Sequence, residues 1–425
     1  MGPQAALPER LSRAVEARRE ETVRLLQEFV RVPSVTGYEG TFAAAVAEAF
    51  REAGLHTETF EATREEISPY LEHVGEQARY EGRPNVIGRR PGLGGGRSIL
   101  LNAHIDTVEA GDPTAWAEDP FSGAIRGGRI YGRGSCDMKG GLVTHLAAIR
   151  ALGDAGVELA GDVTVAATVG EEDGGLGALA TILRGHRADA ALITEPTRLA
   201  LVPAQGGSLV FRLTVRGRAA HGAVRSRGVS ALEKFIPIFE GLRVLERERE
   251  ASLSHPLYEN IDDKAPLSVG LVRSGNWAST VPESLVAEGR LGLIPGEEMR
   301  DIQDLVAGRV AEIAARDPWL REHPPELGWI GGQFAPAEVP VDSPIARAVA
   351  RAHEGVTGGR PVVEAVSYGA DMRHFVLLGG MPCVMYGAGD VGVAHAPDEH
   401  VNIEDLLTAT KTVACLLADW CAAAG

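Results

Sequence analysis

Several things are scarce in this 425-residue chain, and each scarcity excludes something. Only four cysteines occur (Cys136, Cys383, Cys415 and Cys421), with no CxxC pair. A disulfide framework is therefore not expected, and the thiols read as reduced and the protein as cytoplasmic. No apolar run approaches the roughly 20 residues that cross a bilayer. Basic residues are outnumbered, 42 Lys and Arg against 58 Asp and Glu, for a net charge of -16. Nucleic acid and anionic membranes reward the opposite sign, so neither is expected as a partner. A phosphate-binding turn is also missing. The glycine run Gly92–Gly96 precedes a strand, Ser98–Leu101, whereas dinucleotide and phosphate loops follow one and open a helix. That run reads as a turn between strands, which disfavours a dinucleotide-dependent oxidoreductase.

What is present is ordinary soluble-protein material, 44% apolar and 24% charged, in a chain long enough for two domains. Met1 to Arg31 is rich in Arg and Glu and has no secretory apolar core. Its Leu11, Val15, Leu25, Leu26 and Phe29 predict an amphipathic helix packed on a domain. Four short apolar runs end in polar clusters: Ser98–Leu101, Asp162–Val169, Ala190–Ile193 and Pro382–Tyr386. With helices such as Gly141–Leu152 and Leu176–Gly185 between them, they predict an α/β domain with a mixed, mainly parallel sheet flanked by helices. Functional groups gather beyond the carboxyl ends of such strands, where the polar clusters sit.

The middle of the chain has another order. Strand Ser208–Val215, helix Ser230–Arg249, strands Leu267–Val272 and Leu285–Leu293, helix Ile302–Ala315 and strand Glu326–Ile330 give βαββαβ, a ferredoxin-like α+β unit. The predicted organisation is a catalytic domain over 1–204, an inserted domain over 205–336, and the catalytic domain again over 337–425, closing with helix Glu404–Ala422.

Chemistry-bearing residues concentrate at the strand ends. In Ala103-His104-Ile105-Asp106, the two-residue period puts His104 and Asp106 on one side, where a carboxylate can fix a ligand histidine's tautomer. Asp137 lies in Gly132-Arg133-Gly134-Ser135-Cys136-Asp137-Met138-Lys139-Gly140, whose glycines allow a tight turn; a helix follows, so Asp137 reads equally as an N-cap. Gly170-Glu171-Glu172-Asp173 packs three acids together, which repel unless a cation sits there; a solvated acidic turn is the alternative. Glu195 and His395 close two further strands. Two histidines and three carboxylates suit two zinc ions, one carboxylate bridging.

These motifs, in this order and across essentially the whole chain, resemble the co-catalytic zinc amidohydrolases that include acetylornithine deacetylase, succinyl-diaminopimelate desuccinylase, aminoacylase and a glutamate carboxypeptidase. The resemblance implies a zinc-peptidase-like catalytic domain with an inserted dimerisation, or lid, domain. It implies two Zn2+ per subunit, with Co2+ or Mn2+ as possible substitutes. His104 and Glu195 would hold one ion, Glu172 and His395 the other, with Asp137 between them and Asp106 orienting His104. Glu171 would be the general base for attack by metal-activated water, and the Asp137–Met138 peptide would be cis. His221, in Gly217-Arg218-Ala219-Ala220-His221-Gly222, would serve the partner subunit's site in a homodimer; a surface histidine is the alternative.

The pattern departs from the family in the inserted domain. Ser279 stands where many members have Asn, and Gly292 where many have Arg; Arg290, on the same strand face, is the candidate replacement. Arg373, in Tyr368-Gly369-Ala370-Asp371-Met372-Arg373, reads as a contact for a substrate carboxylate or as an ion-pair partner of Asp371. The expected activity is hydrolysis of a linear amide in a small N-acyl amino acid or N-acyl amine, by a deacetylase or deformylase type of enzyme. A dipeptidase or carboxypeptidase on the same metal site is the alternative, and a catalytically silent binding protein the reading from another class.

Overall fold

The computed structural model describes residues 3–75 and 79–422. Nine strands form the larger sheet, and its centre is the four apolar runs read from the sequence. Val163–Thr168, Ile99–His104, Ala191–Ile193 and Cys383–Met385 lie side by side and parallel. Being buried on both faces, they need apolar residues continuously rather than alternately, and every residue of all four is buried. Because they run in one direction, His104 and the segments after Thr168, Ile193 and Met385 emerge at one edge.

The remaining strands flank this core. His56–Glu61 and Pro84–Arg90 add antiparallel on one side. Leu201–Gln205 adds antiparallel on the other, carrying Ala337–Glu338 and Val363–Val366 beyond it. Helices Gly140–Asp154 and Ile403–Trp420 pack against one another on the sheet, and almost all of their residues are buried. The expected single N-terminal helix is two, Pro3–Ala17 and Arg19–Val30. They part at Arg18, whose guanidinium pairs with both Asp154 and Glu21. The apolar residues expected to pack do so: Leu11, Val15, Leu26 and Phe29 are buried, and Leu25 packs partly buried against the core.

A second, all-antiparallel sheet has the order Leu267–Ser274, Ser284–Leu293, Gly207–Arg216, Glu326–Trp329. Along Gly207–Arg216 the core residues Leu209, Phe211, Leu213 and Val215 alternate with exposed or half-buried ones, the period of a sheet covered on one face. Helices Ala231–Ser252 and Met299–Arg316 supply that cover. The chain enters this unit at Ser208 and leaves it at Phe334, and there the two segments exchange reciprocal backbone hydrogen bonds, each 2.8 Å.

Candidate metal centre

His104 ends its strand with its ring buried. Its Nδ1 is 2.9 Å from the Asp106 carbonyl oxygen and 3.6 Å from the nearer carboxylate oxygen. The Asp106 side chain is largely engaged elsewhere. Its two oxygens accept from the backbone N–H groups of Glu171 (3.1 Å) and Glu172 (3.2 Å), and Thr36 donates to it at 3.0 Å. Asp106 thus joins two strand ends: its carbonyl fixes the histidine and its carboxylate fixes the acidic turn.

On the other ring edge, His104 Nε2 lies 3.0 Å from Asp137 Oδ1. The second Asp137 oxygen is 3.4 Å from His395 Nε2, and that nitrogen is 3.0 Å from Glu172 Oε1. Asp137 therefore faces both histidines, one oxygen to each. It is no helix cap, since Lys139 occupies the N-cap of Gly140–Asp154. The Asp137–Met138 peptide is cis. His395 takes a left-handed backbone (φ 60°), uncommon for a residue with a Cβ and characteristic of functional loops.

Glu195 is buried at the end of its strand and Glu171 at the start of the acidic turn. Burial raises the proton affinity of both well above the usual carboxylate range; Asp137 adds to this for Glu195, and Asp371 for Glu171. Glu172 is raised by burial too. His395 responds oppositely: its hydrogen bonds to Asp137 and Glu172 push its pKa up to about 10. Burial opposes protonation of His104, yet its acidic neighbours hold it well above the usual value. Such a field attracts positive charge. Donor atoms of His104, Asp137 and Glu172 lie within 4.8 Å of one another, and imidazole with carboxylate is a donor set suited to zinc. The residues fit a metal centre.

Two supports were not visible in the sequence. Glu399, fully buried, accepts from the N–H groups of Cys136 and Asp137 (both 3.0 Å) and from Arg133 (2.5 Å), so an Arg–Glu pair holds the Asp137 backbone. Arg83 grips Glu39 (2.7 Å) and reaches Asp173 (3.2 Å), so the third acid of the turn faces an arginine. Partners 44 to 266 residues away leave no local pattern. Cys136 is buried, with its Sγ 3.5 Å from the Asp390 carbonyl, and burial raises its thiol pKa well above the ordinary value.

Of the remaining candidates, Arg373 sits beside the acidic turn and the others lie apart from the cluster. Arg373 is buried and donates to the carbonyls of Ala370 (2.6 Å) and Gly174 (2.7 Å). Two of its nitrogens are thus taken by backbone, its buried Nε has no hydrogen-bond partner, and Asp371 and Glu171 both favour its charge. Arg290 is half-buried and donates to Ser208 Oγ (2.9 Å) at the end of the small sheet where the chain enters and leaves it. His221 and Ser279 are both exposed at the opposite end, their loops joined by the Gly222 N–H to Ser279 carbonyl bond (2.7 Å). Ser208 to Arg216 is eight strand steps, roughly 26 Å at about 3.3 Å each, and His221 lies beyond Arg216. One small substrate cannot touch both ends of that sheet in a single subunit.

Comparison with known proteins agrees with this geometry. The chain is 29% identical over 379 residues to N-formyl-4-amino-5-aminomethyl-2-methylpyrimidine deformylase of Bacillus subtilis, covering 84% of this chain and 88% of that protein. It is 29% identical to acetylornithine deacetylase of Myxococcus xanthus, covering 88% and 91%. An M20 family metallo-carboxypeptidase from Sulfolobus solfataricus shares the fold at a TM-score of 0.75, with 20% identity over 94% of this chain and 98% of that one. The model of peptidase family M20/M25/M40 matches residues 100–419, from the His104 strand to the last helix. The chain belongs to that family, and it is a metal-dependent hydrolase of amide bonds.

Proposed function

We propose that this enzyme is a deacylase that removes a short acyl group, of formyl or acetyl size, from the nitrogen of a small amino acid or amine. The observation that carries the reading is Asp137 set between His104 and His395 with Glu171 buried alongside. Relatives named as deformylase and acetylornithine deacetylase support it.

His104 with Glu195 and His395 with Glu172 would hold two divalent cations, with Asp137 shared. Zinc suits these donors best, and cobalt or manganese could replace it. Bound there, the ions would polarise the amide carbonyl and acidify water. Glu171 takes the proton of the attacking water and delivers it to the departing amine nitrogen. Its raised proton affinity suits both halves of that task.

The inserted unit, about 205–336, serves as a dimerisation and lid domain. Leu232, Ile236 and Phe239 form an exposed apolar stripe on helix Ala231–Ser252, spaced to share one helix face. Strand Leu267–Ser274 is a sheet edge, with Val272 exposed on it. Paired through this face, the subunits would exchange His221, which then helps stabilise the oxyanion in the partner's site. Four free, buried cysteines accord with a reducing cytoplasm.

The test is hydrolysis by metal-loaded protein across N-formyl and N-acetyl amino acids, N-acyl amines, succinyl-diaminopimelate and dipeptides. Turnover of the N-acyl compounds is expected, falling about a thousandfold in Glu171→Gln with metal content unchanged. Preference for dipeptides would install the peptidase reading, which the carboxypeptidase-like fold favours. Silence across the panel with both metals bound would point to a binding protein.

A further inference from the structure

The surroundings of Arg373 give it a task beyond either of its sequence readings. Among the contacts that hold the acidic turn Gly170–Gly175, three come from charged side chains on other segments, and His374 Nε2 lies 3.4 Å from the Gly174 carbonyl as well. Asp106 takes the N–H groups of Glu171 and Glu172, Arg83 reaches Asp173, and Arg373 Nη2 donates to the Gly174 carbonyl at 2.7 Å. The first two anchors belong to the large sheet. The third does not stop there, because the Arg373 guanidinium lies 4.0 Å over the ring of Phe334. Burial lowers the pKa of Arg373 only to about 10, so the cation persists at neutral pH.

Phe334 is the residue at which the chain returns from the small sheet, paired in both directions with Ser208, where it enters. Ser208 in turn accepts from Arg290 of that sheet. Close backbone approaches crowd this crossing against the turn. A Cβ on Gly369 would stand 2.6 Å from the Phe334 side chain. One on Gly332 would meet the Phe334 ring at 2.8 Å and the Asp173–Gly174 backbone at 3.2 Å. The return segment therefore lies directly on the acidic turn, with no room for side chains between. Any displacement of the small sheet relative to the large one must carry Phe334, and with it the ring face on which Arg373 rests.

We propose that Arg373 and Phe334 are a positioning pair that couples the inserted unit to the acidic turn, so that the placement of Glu171 and Glu172 depends on where that unit sits. The assignment of Glu171 as base, on which this rests, enters only its kinetic arm. Phe334 touches no substrate in this scheme; it acts through Arg373, and Arg373 through the Gly174 carbonyl. A cation over an aromatic face, once desolvated, is worth enough to change a rate by about tenfold when the face is lost.

Two measurements on metal-loaded, full-length protein test the pair. Amide hydrogen exchange, read by mass spectrometry on peptides spanning Gly170–Gly175, requires no substrate. Phe334→Met should raise exchange in that turn by about tenfold although the substitution lies on another segment; Phe334→Tyr, which keeps a ring face, should restore wild-type protection. Unchanged protection in Phe334→Met would overturn the coupling whatever the chain hydrolyses. If Phe334→Met does not fold, Arg373→Lys, which keeps the charge but not the planar fork, serves in its place with the same two outcomes. The second measurement is kinetic, on the best substrate of the panel. Phe334→Met and Arg373→Lys should each lower kcat about tenfold with KM nearly unchanged, and the double variant should lose little more than either single one. Additive losses, or a rise in KM at constant kcat, would show independent roles or a substrate contact and overturn the pair.

Discussion

The edge of the large sheet and the far end of the small one are both marked by histidines, and they are built in opposite ways. At the large-sheet edge most candidates are buried, and His395, whose side chain is 51% exposed, is held by Asp137 and Glu172. His104 is 2% exposed and Asp106 fully buried, and three charged side chains anchor the turn carrying Glu171 and Glu172. At the small-sheet end, His221 and Ser279 are exposed, and the His221 ring accepts from the neighbouring Ala223 N–H. Trp277, 72% exposed, stands in the same loop as Ser279. The first arrangement stores its geometry within one subunit, as a preorganised centre requires. The second is open to solvent, with apolar and polar groups both exposed. In the proposed dimer, the held region is what one chain completes by itself, and the open end is what it would lend to its partner.

The sharpest way to break that comparison is to remove one anchor from each region. Arg83 and Glu39 are both fully buried as a pair. Arg83→Met would leave the buried Glu39 carboxylate without its counter-charge, at a cost of about 3–5 kcal/mol. Arg225, paired with Glu233 on the small unit, is 69% exposed, and Arg225→Met should cost less than about 1 kcal/mol. Urea unfolding of the two metal-loaded variants checks the contrast. Equal losses would mean that the buried clamp contributes no more than a solvated pair.

How much of this was legible depended on whether a residue's partner was local. The four parallel strands announced themselves because strands buried on both faces must be apolar throughout. Strand Leu201–Gln205 escaped notice because Pro203 sits within it, and proline argues against an interior strand; His56–Glu61 is an edge, mostly exposed, with no apolar alternation. The same divide runs through the site. His104, Glu172, Glu195 and His395 follow apolar strand runs and could be picked out from them, whereas Asp137, in a glycine-rich turn before a helix, read equally as an N-cap. Glu39 with Arg83 holds Asp173, and Arg133 with Glu399 holds the Asp137 backbone, through partners far apart in the chain that leave no signature. Arg373 was visible as a cation, but nothing in sequence shows that two backbone carbonyls will take its donors.

The proposed exchange of His221 between subunits is tested by complementation. His221→Ala should lower kcat about a hundredfold, the scale of one oxyanion donor. If His221 serves the partner, mixing His221→Ala with Glu171→Gln, each nearly inactive, forms heterodimers with one site intact. Random pairing then restores about a quarter of wild-type activity. No recovery after subunit exchange, verified by sedimentation, would place His221 in its own subunit's site or outside the chemistry.

The smallest effect expected is a pH dependence confined to the buried region. His145 is fully buried in helix Gly140–Asp154, its Nε2 3.0 Å from Thr194 Oγ1, just before Glu195. Burial lowers its pKa to about 3 from 6.5. Above pH 6.5 the ring is neutral folded and unfolded, and titration adds nothing. Below 6.5 the unfolded chain takes up a proton that the folded chain refuses until about pH 3, so stability falls as pH falls through that window. Between pH 6.5 and 5 the loss is at most about 2 kcal/mol. His145→Asn cannot titrate, so its stability should decline less steeply than wild type over that range, whatever its stability at pH 7. Parallel slopes for wild type and His145→Asn would mean that the buried ring takes its proton as readily in the folded chain as in the unfolded one. The contrast between the two regions would then hold for geometry but not for charge.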